Sequence, residues 1–112
     1  MKRNYEMEFE GFEEKLGKDV YVFPALNFFS LKVLGPKIAT LMECSYEERI
    51  EIILEVIHSS IRLNYDYLTY EDIQRIVPVN KAESLFARIM EISELVPKVE
   101  EVKKEWDEEA KN

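Results

Sequence analysis

Ser45 to Leu68, SYEERIEIILEVIHSSIRLNYDYL, limits the fold of this chain more than any other stretch. Tyr46, Ile50, Ile53, Leu54, Ile57 and Ile61 recur at helical spacing and define one broad apolar face. Ile52 and Val56 widen that face onto a second side, so the helix can touch neighbours on more than one flank and belongs at the centre of the fold. Ser45, followed three residues later by Glu48, has the spacing of a capping box and marks the start of the helix.

The chain ahead of this helix reads differently. In Tyr5–Glu10, Tyr5, Met7 and Phe9 alternate with Glu6, Glu8 and Glu10, which predicts a strand with one apolar and one acidic face. Gly11 and Phe12 break the parity and should end or bulge it. Gly17-Lys18-Asp19 signals a turn, and Val20-Tyr21-Val22-Phe23 is a second strand closed by Pro24. Together they predict a β-ribbon over 5–23, too small to stand alone, so it must lie on the helices or pair with another chain.

Asn27 is placed to cap a helix over about 28–43 that carries Leu31, Leu34, Ile38, Leu41 and Met42. Gly35-Pro36 should kink that helix or divide it. The central helix occupies about 46–63. Thr69 and Asp72 cap a short helix over about 70–77, stopped by Pro78, and Asn80 with Glu83 opens another over about 81–95. The expected fold is mainly α with a small N-terminal β-hairpin (α+β). About four helices form a bundle, followed by a charged C-terminal helix or tail. The chain of 112 residues suits one globular domain over 1–96. The remainder, 97–112, changes composition to four Lys against six Asp plus Glu. Val99, Val102 and Trp106 nonetheless keep a narrow apolar stripe there, suited to docking on the domain, on its oligomer or on a partner.

The residues carry little chemistry. A net charge of −8 argues against phosphate-backbone binding and against adsorption to anionic membranes. No apolar run reaches the ~18 residues of a membrane span, and no signal-peptide core opens the chain, which makes the cytoplasm the expected location. Cys44 is the single cysteine, so no internal disulfide is available. His58 is the single histidine and suits a hydrogen-bonded structural role on the central helix. A Cys44–His58 dyad would need two helix ends to converge and has no third residue to orient it. Glu47, Glu51 and Glu55 form an acidic helix face, and Glu55-x-x-His58 has di-iron spacing only once. No catalytic, metal or cofactor set is expected, and the inventory favours a binding or assembly role.

Several segments together resemble a known family. They are Val22-Phe23-Pro24-Ala25-Leu26-Asn27-Phe28, then a helix with an internal proline, then Ile57-His58-Ser59-Ser60-Ile61-Arg62-Leu63-Asn64-Tyr65 leading into Leu68-Thr69-Tyr70-Glu71-Asp72-Ile73. Asn80-Lys81-Ala82-Glu83-Ser84-Leu85-Phe86 and the close at Ile92-Ser93-Glu94-Leu95 complete the set. From Tyr21 to Leu95 this order resembles the tail assembly chaperones of long-tailed bacteriophages. The family pattern has a proline near Asp66 and a glycine at Glu94, where glycine would finish the helix in a left-handed cap.

The resemblance implies a non-enzymatic protein of the bacterial host cytoplasm. It would bind the long helical tape-measure protein and keep it soluble until tail-tube subunits polymerise around it. A longer frameshifted product, joined after Pro97, would recruit tail-tube protein, and copies could stack as a homo-oligomer. A holdase needs apolar surface on a charged, soluble body. The partner-binding candidates are Tyr5, Phe9, Tyr21 and Phe23 on the ribbon, Phe28 and Phe29 beside it, and Trp106 in the tail. A groove between helices could take an amphipathic tape-measure helix. The alternative is a small acidic regulatory or inhibitor protein that covers a basic protein surface, as a nucleic-acid mimic does. An enzyme would need a pocket around His58 and Cys44.

Overall fold

The turn at Gly17-Lys18 fixes where the sheet lies. A computed structural model describes residues 6–95. In it β1 (Gly11–Leu16) pairs antiparallel with β2 (Asp19–Pro24), Leu16 opposite Asp19 and Gly11 opposite Pro24. Gly17 has a φ of 69° and Lys18 does not enter the positive region, the pattern of a type II′ hairpin turn. Among the described residues the ribbon therefore begins at Gly11, not within 6–10. Alternation over 6–10 has no strand opposite it, because β2 ends where Gly11 is paired. Asn64 instead holds this lead-in, accepting from Phe9 N–H at 3.0 Å and donating to Phe9 C=O at 2.7 Å. Gly11 is required by proximity: a Cβ there would lie 1.9 Å from Phe23 O.

Four helices complete the described chain: α1 (Phe28–Ile38), α2 (Tyr46–Ile61), α3 (Tyr70–Ile76) and α4 (Val79–Ile92). Asn27 caps α1 as expected, accepting from Ser30 N–H at 2.8 Å. Pro36 lies inside this single helix, which ends at Ile38 rather than near Glu43. The early end has a local cause. Thr40 donates through both its N–H and its hydroxyl to Lys37 C=O, at 3.0 and 2.7 Å, and the backbone tightens into turns. Ser45 caps α2 at Glu48 N–H, and Thr69 with Asp72 forms the full reciprocal box on α3. Helix α4 starts two residues before its expected position. Pro78 stands at its N-cap without a side-chain bond, since proline's missing N–H is no loss at a helix start.

Helix α2 is central, touching α1, α3, α4 and β2. The face it buries is Ile52, Ile53, Val56, Ile57, Ser60 and Ile61, so the second side named by Ile52 and Val56 is as deep as the first. β2 lies across its C-terminal end with Val22 and Phe23 buried. Phe23 stacks on Phe12 at 5.3 Å, and the Arg88 guanidinium of α4 covers the Phe12 ring at 4.0 Å. Glu14 accepts from Arg88 and lies 3.3 Å from Lys81, tying β1 to α4.

Two buried polar bonds fix β2 on the helices. Ser60 Oγ donates to Pro24 C=O at 2.6 Å, and Val22 N–H donates to Tyr65 Oη at 3.0 Å. Tyr65→Phe leaves the Val22 N–H unpaired and should cost about 1–3 kcal/mol in urea unfolding, as should Ser60→Ala for the Pro24 carbonyl.

The end of α4 is a Schellman motif. Leu95 N–H bonds Met90 C=O and Glu94 N–H bonds Glu91 C=O, each at 3.0 Å. Glu94 takes a φ of 58°, the left-handed conformation that glycine would adopt without strain. Glu94→Gly should raise stability by about 1 kcal/mol, which corresponds to a thermal midpoint higher by roughly 4–8 °C. An unchanged midpoint in calorimetry would show that Glu94 is unstrained there.

Candidate functional site

Three helices meet around a groove of about 390 Å³. Tyr46, Ile50, Ile53 and Leu54 line it from α2, Val77 from the end of α3, and Val79 and Ala82 from α4. The geometry follows from Pro78. It stops α3 and starts α4 with two extended residues between them, Val77 and Pro78 itself, and so spreads the two helices around the first half of α2. Val79 is 89% exposed and Tyr46 73% exposed, while Ile53 at the floor is 4% exposed. The groove is thus an apolar floor with open apolar lips. Glu83 lies on its rim, 3.9 Å from Arg49, and Glu47 and Glu51 each follow a groove residue on α2.

A second apolar surface lies on α1. Phe28 is 84% exposed, Phe29 73% and Val33 52%, so both of these candidate phenylalanines are on the surface. Phe9 is half-exposed beside Asn64. Tyr21 and Phe23 are not available to a partner. Tyr21 packs edge-to-face on Tyr65 at 5.2 Å, and Phe23 is fully buried between Phe12 and the helices. Tyr5 and Trp106 lie outside the described residues. The structure does not gather the ribbon aromatics and the α1 phenylalanines into one patch: burial divides them.

Tyr46 and Ile50 are the residues that periodicity misplaced. They share the stripe of the buried positions and differ only in having no neighbour above them. The visible signal is the width of the α2 stripe, broader than one packing partner can cover, together with Val79 directly after the helix-breaking Pro78.

The reactive side chains are held by backbone. His58 Nε2 is 2.9 Å from Leu68 C=O and its ring meets Tyr70 edge-on at 6.3 Å. Cys44 Sγ points at Leu41 C=O at 3.5 Å. Glu55, the last member of the acidic row, is paired with Lys37 at 3.0 Å. Among the described residues no group of three or more His, Cys, Asp or Glu is placed to hold a metal ion, and no helix is long and apolar enough to cross a membrane.

Comparisons of the chain with family models, with curated proteins and with solved structures gave no match.

Burial raises the phenols of Tyr21, Tyr65 and Tyr70 above their ordinary value of 10.0. The Asp19 charge adds to the shift at Tyr21, and Glu55 and Glu51 add to it at Tyr70. At Tyr65 the bond from Val22 N–H opposes it in part. A phenol raised in the fold stays neutral longer there than in the unfolded chain. Its contribution is complete below pH 10.0 and is lost as pH rises through the raised values. Stability should therefore fall in alkali above that point, with phenolate absorbance and loss of helical circular dichroism rising together. Free titration of all tyrosines near the ordinary value, in a still-folded chain, would contradict the burial of these three.

Proposed function

We propose that this chain is a non-enzymatic tail assembly chaperone that holds an amphipathic helix of a tape-measure protein in the groove between α2, α3 and α4. The observation that carries the reading is the groove itself, an apolar floor at Ile53 with Tyr46 and Val79 standing open at its lips. Helix-in-groove recognition uses such a surface, with anchors at i, i+3, i+4 and i+7 of the guest helix. Glu83 on the rim suits a lysine or arginine beside that guest stripe. The resemblance over Tyr21–Leu95 names the guest. The net charge of −8 keeps a complex with a sparingly soluble helix in solution.

Co-expression with the longest helical protein encoded beside this chain tests the reading. The guest should become soluble and co-purify at high salt. Ile50→Glu and Val79→Glu put a charge on exposed groove positions and should weaken the complex about ten- to hundredfold each, equivalent to roughly 1.4–2.8 kcal/mol, while leaving the fold intact. A guest that stays insoluble, with no complex, would rule out this partner. A complex that collapses with salt and ignores Ile50→Glu would favour instead an acidic protein covering a basic surface.

A further inference from the structure

The outer side of α1 is apolar, and the chain leaves the described region beside it. Phe28, Phe29 and Val33 are exposed on α1, and Pro36 continues the same side one turn later. At the N-terminal end of α1 is a hollow of about 220 Å³ lined by Leu26, Phe28, Leu31, Ser93 and Leu95 among others. The end of α4 is tied there: Leu26 N–H donates to Ser93 Oγ at 2.9 Å, and the Schellman turn at Glu94 delivers Leu95 into the hollow. The last described residue, Leu95, therefore lies at the head of α1.

That segment carries a stripe of matching length. Val99, Val102 and Trp106 lie at i, i+3 and i+7. On a helix, Val99 to Trp106 spans about 10.5 Å, the same as Phe29 to Pro36 on α1, at about 1.5 Å per residue. The charges also match. Residues 97–112 hold six Asp plus Glu against four Lys, whereas α1 carries Lys32 and Lys37 and no acidic residue. Lys32 is exposed between Phe28 and Val33.

We propose that the segment 97–112 docks on the outer face of α1 of its own chain as an amphipathic helix, with Val99, Val102 and Trp106 covering Phe28, Phe29 and Val33. It runs parallel to α1 from the hollow at Leu95 and places its acidic residues around Lys32. This occupant is separate from any guest of the α2–α3–α4 groove, and its test needs no partner.

Trp106 is the only tryptophan, so its emission reports the segment directly. In the full chain the emission should be blue-shifted, several-fold less accessible to acrylamide than free tryptophan, and unchanged on dilution. Phe29→Ser and Val33→Glu alter exposed α1 positions. Each should return Trp106 to water-like emission, while far-UV circular dichroism retains the signal of the other helices. Val102→Glu, placed in the segment itself, should do the same without touching the described core. Water-like emission in the unaltered chain would overturn the proposal, and so would shielding that survives all three substitutions. Shielding lost on dilution would overturn it too, by making a second copy the occupant.

Discussion

The fold depends on the attachment of a small hairpin to the end of α2. A two-stranded ribbon has too little surface to be stable in water. Here its second strand is bonded on the side away from β1 by side chains from one short region: Ser60 to the Pro24 carbonyl, Tyr65 to the Val22 N–H, and Asn64 to the Val22 carbonyl at 3.4 Å and to Phe9 on both backbone groups. These groups occupy the edge where a third strand would lie. They also let β2 be buried on both faces without orphaned polar atoms, a condition that a buried backbone must meet. Phe23 and Ile57 can then share one core with Ile73, Leu85 and Ile89.

How much of this was legible depended on whether local chemistry or a distant partner decided each element. The helix starts at Asn27, Ser45 and Thr69 were readable because a cap is a bond between residues three apart. The hairpin turn was readable from glycine. The first strand was not, because Tyr5–Glu10 shows a true apolar–acidic alternation and only the register set at Gly17 reveals that β2 reaches no further along the first strand than Gly11. The stop of α1 at Ile38 turns on how Thr40 resolves a competition for one carbonyl, which no period predicts. At Glu94 the sequence withholds the glycine that the conformation favours, yet the backbone takes the left-handed turn to bring Leu95 back onto the core.

The candidate site was less legible than the fold. Aromatic content pointed to the ribbon and to α1; Phe28 and Phe29 are on the surface and Phe9 is half-exposed, whereas Tyr21 and Phe23 on β2 are buried. Tyr21 and Phe23 are as aromatic as Phe28 and Phe29. What separates them is that α2 and α4 happen to lie over the strand, a tertiary fact. The groove at Tyr46, Ile50 and Val79 could be read only once the two extended residues between α3 and α4, Val77 and Pro78, had set their splay. The chemical inventory was easier. His58 and Cys44 each satisfy a nearby carbonyl, in keeping with the structural roles that isolated reactive residues usually have.

The order in which the clasp closes has a consequence for synthesis. The hairpin is made first, but its bonds run forward: Val22 waits for Tyr65, Lys15 for Lys81, and Leu26 for Ser93, which is 67 residues later. At about 5–20 residues per second, a ribosome leaves the hairpin without its last clasp for about 3–13 s. Until α4 is made, Phe12 lacks the Arg88 guanidinium that covers its ring, and the Phe12–Phe23 stack stays open on that side to improper association.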